Sequence, residues 1–210
     1  MSQETDYARA QRLLARRDPV LRAIIRRHGP CRLREAQHAD SFQALVHAIV
    51  GQQLSTKAAA TIRRRVDALF RGRPTPRAMA RVSDDALRAA GVSPQKLRYL
   101  RDLCARVQRD SLQLNALDLL ADEAVVASLT AVTGIGRWTA EMFLMFRLHR
   151  PDVLPLGDLG ILTAVQRAYG LRARPTATRL TVLGNAWWPY RSVACWYLWA
   201  SLDDAPREDR

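Results

Sequence analysis

Apolar residues recur at helical spacing along nearly the whole chain, and this periodicity constrains the fold more than any other feature. Phe42, Leu45, Val46 and Ile49 fall at positions i, i+3, i+4 and i+7, the spacing of one buried helix face. Alternation of apolar and polar residues is almost absent, and residues 153–156 are the one short extended candidate. The pattern therefore predicts an all-α fold.

The starts of several helices are marked by residues that cap a free N-terminus. A Ser, Thr or Asp side chain accepts hydrogen bonds from the first backbone N–H groups, and proline suits the first helical position. The predicted starts are Pro19, the Asp40 and Gln43 pair, Ser55, Thr75-Pro76 and Ser93-Pro94.

The charge balance indicates an anionic partner. The chain carries 33 Lys+Arg against 20 Asp+Glu, a formal net charge of +13. Such an excess favours DNA, RNA, phosphate or an anionic membrane surface. No apolar run approaches the roughly 20 residues of a membrane span, and residues 1–6 are too polar for a secretory signal.

Length and cysteine usage narrow the class of protein. The 210 residues suit one domain or two small lobes without a stabilising metal or disulfide. Cys31, Cys104 and Cys195 are dispersed and odd in number, which indicates a reducing cytosol rather than a disulfide framework. Three thiols are also too few for a four-cysteine iron–sulfur cluster.

The most specific segment runs from Leu129 to Ala140 and contains a Gly-x-Gly turn. One helix is predicted to end near Ala131 and the next to start near Arg137. Gly134 can take the positive φ that a reversal needs, and Gly136 leaves room for another backbone to approach. Unpaired N–H groups at the start of the second helix would form an anion site.

This segment resembles the helix–hairpin–helix of the DNA glycosylases of the HhH-GPD superfamily. A loop with Pro151, Pro155 and Gly157 follows, and then Asp158, twenty residues beyond Trp138. Residues 51–55 and 187–192 look like two further segments of the alkylpurine branch. The resemblance covers residues 40–200 and is greatest to the 3-methyladenine DNA glycosylase II, AlkA-like, proteins.

The resemblance implies a single module over residues 1–210 built from two helical lobes. Lobe A would comprise about 1–35 plus 143–210, and lobe B about 36–142, with the hairpin at 129–148. The active cleft would lie between the lobes, with Asp158 on its wall.

Asp158 is the candidate catalytic residue. Cleavage of an N-glycosidic bond gives the sugar oxocarbenium character, which a carboxylate stabilises while it orients the attacking water. The simpler interpretation is a helix N-cap, and the two roles are compatible. Trp138 stands where glycosylase/lyases of the superfamily carry a nucleophilic lysine. The resemblance therefore implies a monofunctional enzyme without lyase activity that excises alkylated purines in base excision repair and leaves an abasic site.

The resemblance also assigns a pocket and a wedge for base flipping. Gln53 or Leu54 would fill the gap left by the flipped nucleotide, with Gln53 preferred, although a plain polar turn remains the alternative. Trp196 and Trp199, three residues apart in the last helix, are predicted to pack in the core. The predicted base pocket consists of Trp138, Tyr190, Gln52, Met142 and Trp187.

Duplex DNA with damaged bases is the implied partner, bound by a cytoplasmic, nucleoid-associated monomer without contact with a membrane. No organic cofactor or iron–sulfur cluster is implied, and a Na⁺ or K⁺ ion would sit at hairpin carbonyls near Thr133 and Ile135. The predicted phosphate-binding residues are Thr133, Gly134, Ile135, Gly136, Arg137, Thr139 and Lys57.

Other interpretations remain open at this point. A non-catalytic lesion-binding or DNA-binding protein could reuse the hairpin, and a glycosylase for other damaged bases, including an oxidised-base glycosylase/lyase, could share the fold. A basic RNA-binding protein is a further alternative.

Overall fold

The computed structural model describes residues 4–35 and 40–203. This part of the chain contains α-helices and short 3₁₀ turns and no strand, which confirms the all-α prediction; residues 153–156 form a non-repetitive loop. The helices are α1 Glu4–Arg17, α2 Pro19–His28, α3 Ser41–Gly51, α4 Thr56–Ala68, α5 Pro76–Arg81, α6 Asp84–Ala89, α7 Pro94–Gln108, α8 Asp122–Thr130, α9 Arg137–Phe146, α10 Leu159–Ala168, α11 Ala177–Gly184 and α12 Arg191–Asp203.

The predicted helix starts are confirmed. The Asp40 carboxylate accepts the backbone N–H of Gln43 at 2.8 Å and caps α3. Ser55 caps α4 in the same way. Thr75 and Ser93 cap α5 and α7, and each is followed by proline at the first helical position. The predicted apolar stripe of α3 is buried.

The described residues form two compact units. The terminal unit comprises residues 4–35 and 149–203, so it joins the two ends of the chain. In it α12 packs against α1, α2 and α10. Its core includes the fully buried Leu14, Leu21, Val165, Trp187 and Tyr197.

The central unit comprises residues 40–148. Helix α3 packs against α4, α7 and α9, and α8 packs against α9. Fully buried side chains of the core include Ile49, Val66, Met79, Leu100 and Leu129. The unit extends beyond the predicted limit near residue 142 because α9 continues to Phe146. The other predicted limit, near residue 36, falls outside the described residues.

No helix in the described part of the chain combines the length and the apolar character needed to cross a membrane.

Candidate DNA-binding and catalytic elements

The hairpin of the central unit has the predicted boundaries. Helix α8 ends at Thr130, and α9 begins at Arg137 with Gly136 as its N-cap. Gly134 has a φ of 85°, which L-residues rarely adopt. The ring of Tyr99 lies so close that a Cβ atom at position 134 would be 2.2 Å from it. Both the backbone conformation and the space therefore require glycine at position 134.

The hairpin presents backbone donors at the N-terminus of α9. No side chain caps this helix. Within the described residues the N–H groups of Gly134 and Gly136 have no hydrogen-bond acceptor. A Cβ atom at Gly136 would meet nothing within 4 Å, so the space in front of this residue is open. Such a helix terminus attracts anions, phosphate groups in particular.

Helix α7 contacts the hairpin and fixes it. The carboxylate of Asp102 accepts the N–H of Thr133 at 2.7 Å and pairs with Arg106 at 3.1 Å. Burial alone would raise the pKa of Asp102, but the Thr133 hydrogen bonds and the Arg106 charge together lower it. The predicted phosphate ligand Thr133 therefore uses its N–H to bind Asp102. No local sequence pattern predicts this contact, since Asp102 lies 31 residues earlier.

Arg137, another predicted phosphate ligand, is held by two carboxylates. Its guanidinium pairs with Glu123 and donates to Glu141 at 3.2 Å. The hydrogen bond to Glu123 raises the pKa of Arg137, and the same bond lowers the pKa of Glu123. Glu141, one turn beyond Arg137, is buried. In this structure the positive charge of Arg137 is therefore balanced locally.

Three further predicted phosphate ligands differ in exposure. The side chain of Thr139 is buried. An anion at the open N-terminus of α9 therefore has access only to the backbone of this residue. Lys57 is exposed on the first turn of α4. Ile135 is buried, and its N–H donates to the carbonyl of Val132 at 3.1 Å.

The loop between α3 and α4 contains the two predicted wedge residues, Gln53 and Leu54. Gln53 is exposed and has a φ of 57°, and Leu54 is 37% exposed. A non-glycine residue in this region is strained and persists only where its surroundings hold it. The predicted pocket residue Gln52 donates its amide to the carbonyl of Gly134 at 2.8 Å, so it ties this loop to the hairpin.

Trp138 and Met142 lie one turn apart on α9. The indole of Trp138 is 48% exposed, which is unusual for so large an apolar group. Met142 is half-buried. The structure thus leaves Trp138 an accessible aromatic face in the central unit.

Asp158 caps α10 in the terminal unit, as its position predicts. Its Oδ1 accepts the backbone N–H of Ile161 at 2.7 Å and the indole Nε1 of Trp199 at 2.9 Å. The residue is only 7% exposed. Trp199, predicted to be a core residue, thus contacts the candidate catalytic carboxylate. Trp199 is half-buried, and the missed signal is that its indole N–H needs an acceptor, which spacing does not identify.

The loop before Asp158 is tied to the start of α12. Arg191 pairs with Asp152 through two hydrogen bonds of 2.7 Å. The Oγ of fully buried Ser192 donates to the carbonyl of Arg150 at 2.7 Å and accepts the N–H of Val153 at 2.9 Å. These bonds fix the backbone that leads to Asp158.

The aromatic residues before α12 differ in role. Trp187, predicted to line the base pocket, has no exposed surface, and its Nε1 donates to Asp18 at 2.9 Å. That prediction is corrected: Trp187 is a core residue, because a fully enclosed indole offers no face to a base. Tyr190, another predicted pocket residue, is 9% exposed, and Trp188 is largely exposed.

The described residues hold no cluster of three or more His, Cys, Asp or Glu side chains that suits a metal ion. Burial raises the pKa of Cys31 to about 12 and that of Cys104 to about 11, so neither thiol ionises readily near neutral pH.

Residues 46–190 match the profile of the HhH-GPD superfamily base excision DNA repair proteins. The alkylbase DNA glycosidase-like protein mag2 of Schizosaccharomyces pombe is 27% identical over 203 residues, which are 95% of each chain.

Two solved structures share the fold. The DNA-3-methyladenine glycosidase of Bacillus halodurans is 40% identical, with a TM-score of 0.78 over 95% of this chain and 89% of that one. The 3-methyladenine DNA glycosylase Mag1 of Schizosaccharomyces pombe, in complex with abasic DNA, is 28% identical, with a TM-score of 0.82 over 95% of this chain and 100% of that one. The chain belongs to the HhH-GPD superfamily of base excision DNA repair proteins.

Proposed function

We propose that this protein is a monofunctional DNA glycosylase that removes alkylated purines from duplex DNA. The observation that carries the proposal is Asp158, an almost fully buried carboxylate held in one orientation by Ile161 and Trp199. The relatives named as 3-methyladenine glycosylases support the same substrate class. The protein would act as a monomer and leave an abasic site.

Asp158 would act on the sugar rather than on the base. As the N-glycosidic bond breaks, positive charge develops at the anomeric carbon and ring oxygen, and a nearby carboxylate stabilises it. The same group orients and deprotonates the attacking water. An alkylated purine such as 3-methyladenine or 7-methylguanine is cationic and leaves readily. This substrate class therefore suits a candidate site that has a single assigned carboxylate.

The small number of lysines supports the part of the proposal that assigns no lyase chemistry. A lyase needs an amine that attacks the sugar, and the chain has only Lys57 and Lys96. Lys57 lies exposed on α4, and the amine of Lys96 donates to the carbonyls of Val50 and Gln52 at 2.8 Å each. Trp138 has no amine to offer in their place.

The central unit would bind the DNA and extrude the nucleotide. The open N-terminus of α9 would hold a phosphate, and Gln53, or Leu54 beside it, would fill the space in the stack. Trp138 would stack on the extruded base, with Met142 beside it one turn further along α9. Stacking on an aromatic side chain recovers roughly 1–3 kcal/mol per base.

A monovalent cation fits the hairpin. In the described residues the carbonyls of Thr133 and Ile135 accept no hydrogen bond, and such oxygens are suitable ligands for Na⁺ or K⁺, whereas the carbonyl of Gly134 is engaged by Gln52. A bound cation would supply positive charge for a DNA phosphate. The N–H groups of Gly134 and Gly136 orient the same phosphate.

The proposal is tested by incubating the protein with methylated duplex DNA and measuring the free bases released. We expect 3-methyladenine and 7-methylguanine from the wild type and none from Asp158→Asn. Asp203→Asn, which removes an exposed carboxylate at the end of α12, is the matched control and retains activity. Equal release by Asp158→Asn and wild type would exclude the catalytic role. No release by the wild type, with lesion binding retained, would favour a non-catalytic lesion-binding protein.

A further inference from the structure

One side of α7 contacts both segments of the central unit to which the proposed function assigns DNA contacts. Lys96, Tyr99 and Asp102 lie on three successive positions spaced by three residues. Lys96 reaches the loop between α3 and α4, whereas Tyr99 and Asp102 reach the hairpin. None of the three was singled out by sequence motifs.

Lys96 stabilises the end of α3 and the turn that follows. Its amine donates to the carbonyls of Val50 and Gln52 at 2.8 Å each, immediately before the strained residue Gln53. The last carbonyls of a helix lack intrahelical donors, and a cation near them is favourable. Burial lowers the pKa of Lys96. The amine therefore holds the backbone that presents Gln53.

Asp102 and Tyr99 fix the hairpin from the same helix. Asp102 accepts the N–H of Thr133, and the ring of Tyr99 fills the space beside Gly134. Gln52 links the two segments directly through the carbonyl of Gly134. Loop, hairpin and α7 thus form one connected set of contacts within the central unit.

We propose that Lys96 and Asp102 are positioning residues, which set the loop and the hairpin for simultaneous contact with damaged DNA without touching it. The inference rests on the proposed function. Lys96 acts through the wedge, which contacts only DNA with a gap in the stack. Asp102 acts through the hairpin, which contacts the phosphates of any duplex. The two residues therefore affect different properties of binding.

The test measures the affinity of the full chain for two duplexes, one with a tetrahydrofuran abasic analogue and one undamaged. A 2-aminopurine beside the analogue reports unstacking by its fluorescence. Lys96→Gln is expected to lower the preference for the abasic duplex by roughly tenfold, the effect of losing a charge-assisted hydrogen bond, and to abolish the fluorescence rise. Arg98→Gln removes the same charge from an exposed position of α7 and keeps the preference.

The variant Asp102→Ala provides a second test, independent of Lys96→Gln. Removing a carboxylate normally strengthens binding to DNA by reducing repulsion, and Asp85→Ala, an exposed carboxylate on α6, is expected to do so slightly. Because Asp102 orients the hairpin, Asp102→Ala is expected to weaken binding to both duplexes equally. Thermal unfolding shows that each variant compared is folded.

Several outcomes would overturn the inference. The first is that Lys96→Gln prefers the abasic duplex as strongly as Arg98→Gln does. The second is that Asp102→Ala binds DNA more tightly, as Asp85→Ala does. The third is that the wild type binds both duplexes equally. Neither duplex contains a base to be released at the lesion. The binding measurements therefore do not depend on catalysis. A wild type that fails to excise bases would refute the proposed function and leave this inference unaffected.

Discussion

The indole N–H of Trp199 and the backbone N–H of Ile161 donate to the same oxygen of Asp158, at 2.9 and 2.7 Å. Two donors on one oxygen fix the rotation of the carboxylate. Trp199 comes from α12 and Ile161 from α10, so the packing of these two helices sets the orientation of Asp158.

Removing the indole donor is expected to slow base release. In Trp199→Phe the aromatic ring remains but the N–H is lost, and we expect the single-turnover rate to fall roughly tenfold. Affinity for abasic duplex DNA should stay at the wild-type value, because the hairpin is unchanged. Trp196→Phe, one turn earlier on α12, is the matched control. The same loss of rate in both variants would contradict a specific role for Trp199.

The two hairpin glycines are expected to respond differently to alanine. Gly134→Ala forces a positive φ on alanine and drives its Cβ into Tyr99, so the free energy of unfolding should fall by at least about 1–2 kcal/mol. Gly136→Ala has an ordinary φ of −91° and open space, so stability is kept. Its methyl group would obstruct a phosphate at the start of α9 and weaken DNA binding. Urea unfolding and a binding titration distinguish the two, and unimpaired binding by Gly136→Ala would count against the phosphate site.

Releasing Arg137 is expected to strengthen DNA binding. Glu123→Gln removes the exposed partner that holds the guanidinium, which then becomes available to a phosphate. Each additional phosphate contact steepens the dependence of log affinity on log salt by about 0.9. Asp85→Asn adds the same net charge elsewhere and should leave the slope unchanged. Identical slopes in both variants would show that Arg137 does not reach the backbone.

The contribution of Asp102 to stability is expected to disappear in acid. Its pKa is lowered in the folded state, so the unfolded chain takes up this proton first as the pH falls. The stabilisation is complete above the unfolded pKa of about 3.9 and is lost as the pH drops through the lower folded value. The difference in unfolding free energy between wild type and Asp102→Asn should therefore shrink between pH 7 and about pH 3. The corresponding difference for Asp85→Asn serves as the baseline, and a constant Asp102 difference would disprove the assignment.

Local patterns in the sequence predicted much of this structure. Caps such as Asp40 and Ser55 act within three residues, and Gly134 is required by its own backbone conformation, so each is visible in a short stretch of sequence. The same holds for Asp158 as the start of α10.

Contacts between distant parts of the chain were not predicted. Trp187 lies in the core instead of a pocket, and Trp199 donates to Asp158. Neither contact was predicted, because the acceptor of each indole, Asp18 or Asp158, is fixed only by the packing of helices far apart in sequence. The contact of Asp102 with Thr133 was not predicted for the same reason, since it joins residues far apart in sequence. For Arg137, the acidic residue four positions later was a visible signal, whereas Glu123 was not.

The terminal unit joins α1 and α2 to α12. This arrangement determines the order in which the two units fold during synthesis. The central unit is continuous and is complete once residue 148 has emerged from the ribosome, while α1 and α2 must wait for α12. A chain interrupted after α9 would therefore carry the hairpin and the wedge but lack Asp158. Under the proposed function, such a fragment would bind lesions without releasing the base and would compete with the finished protein.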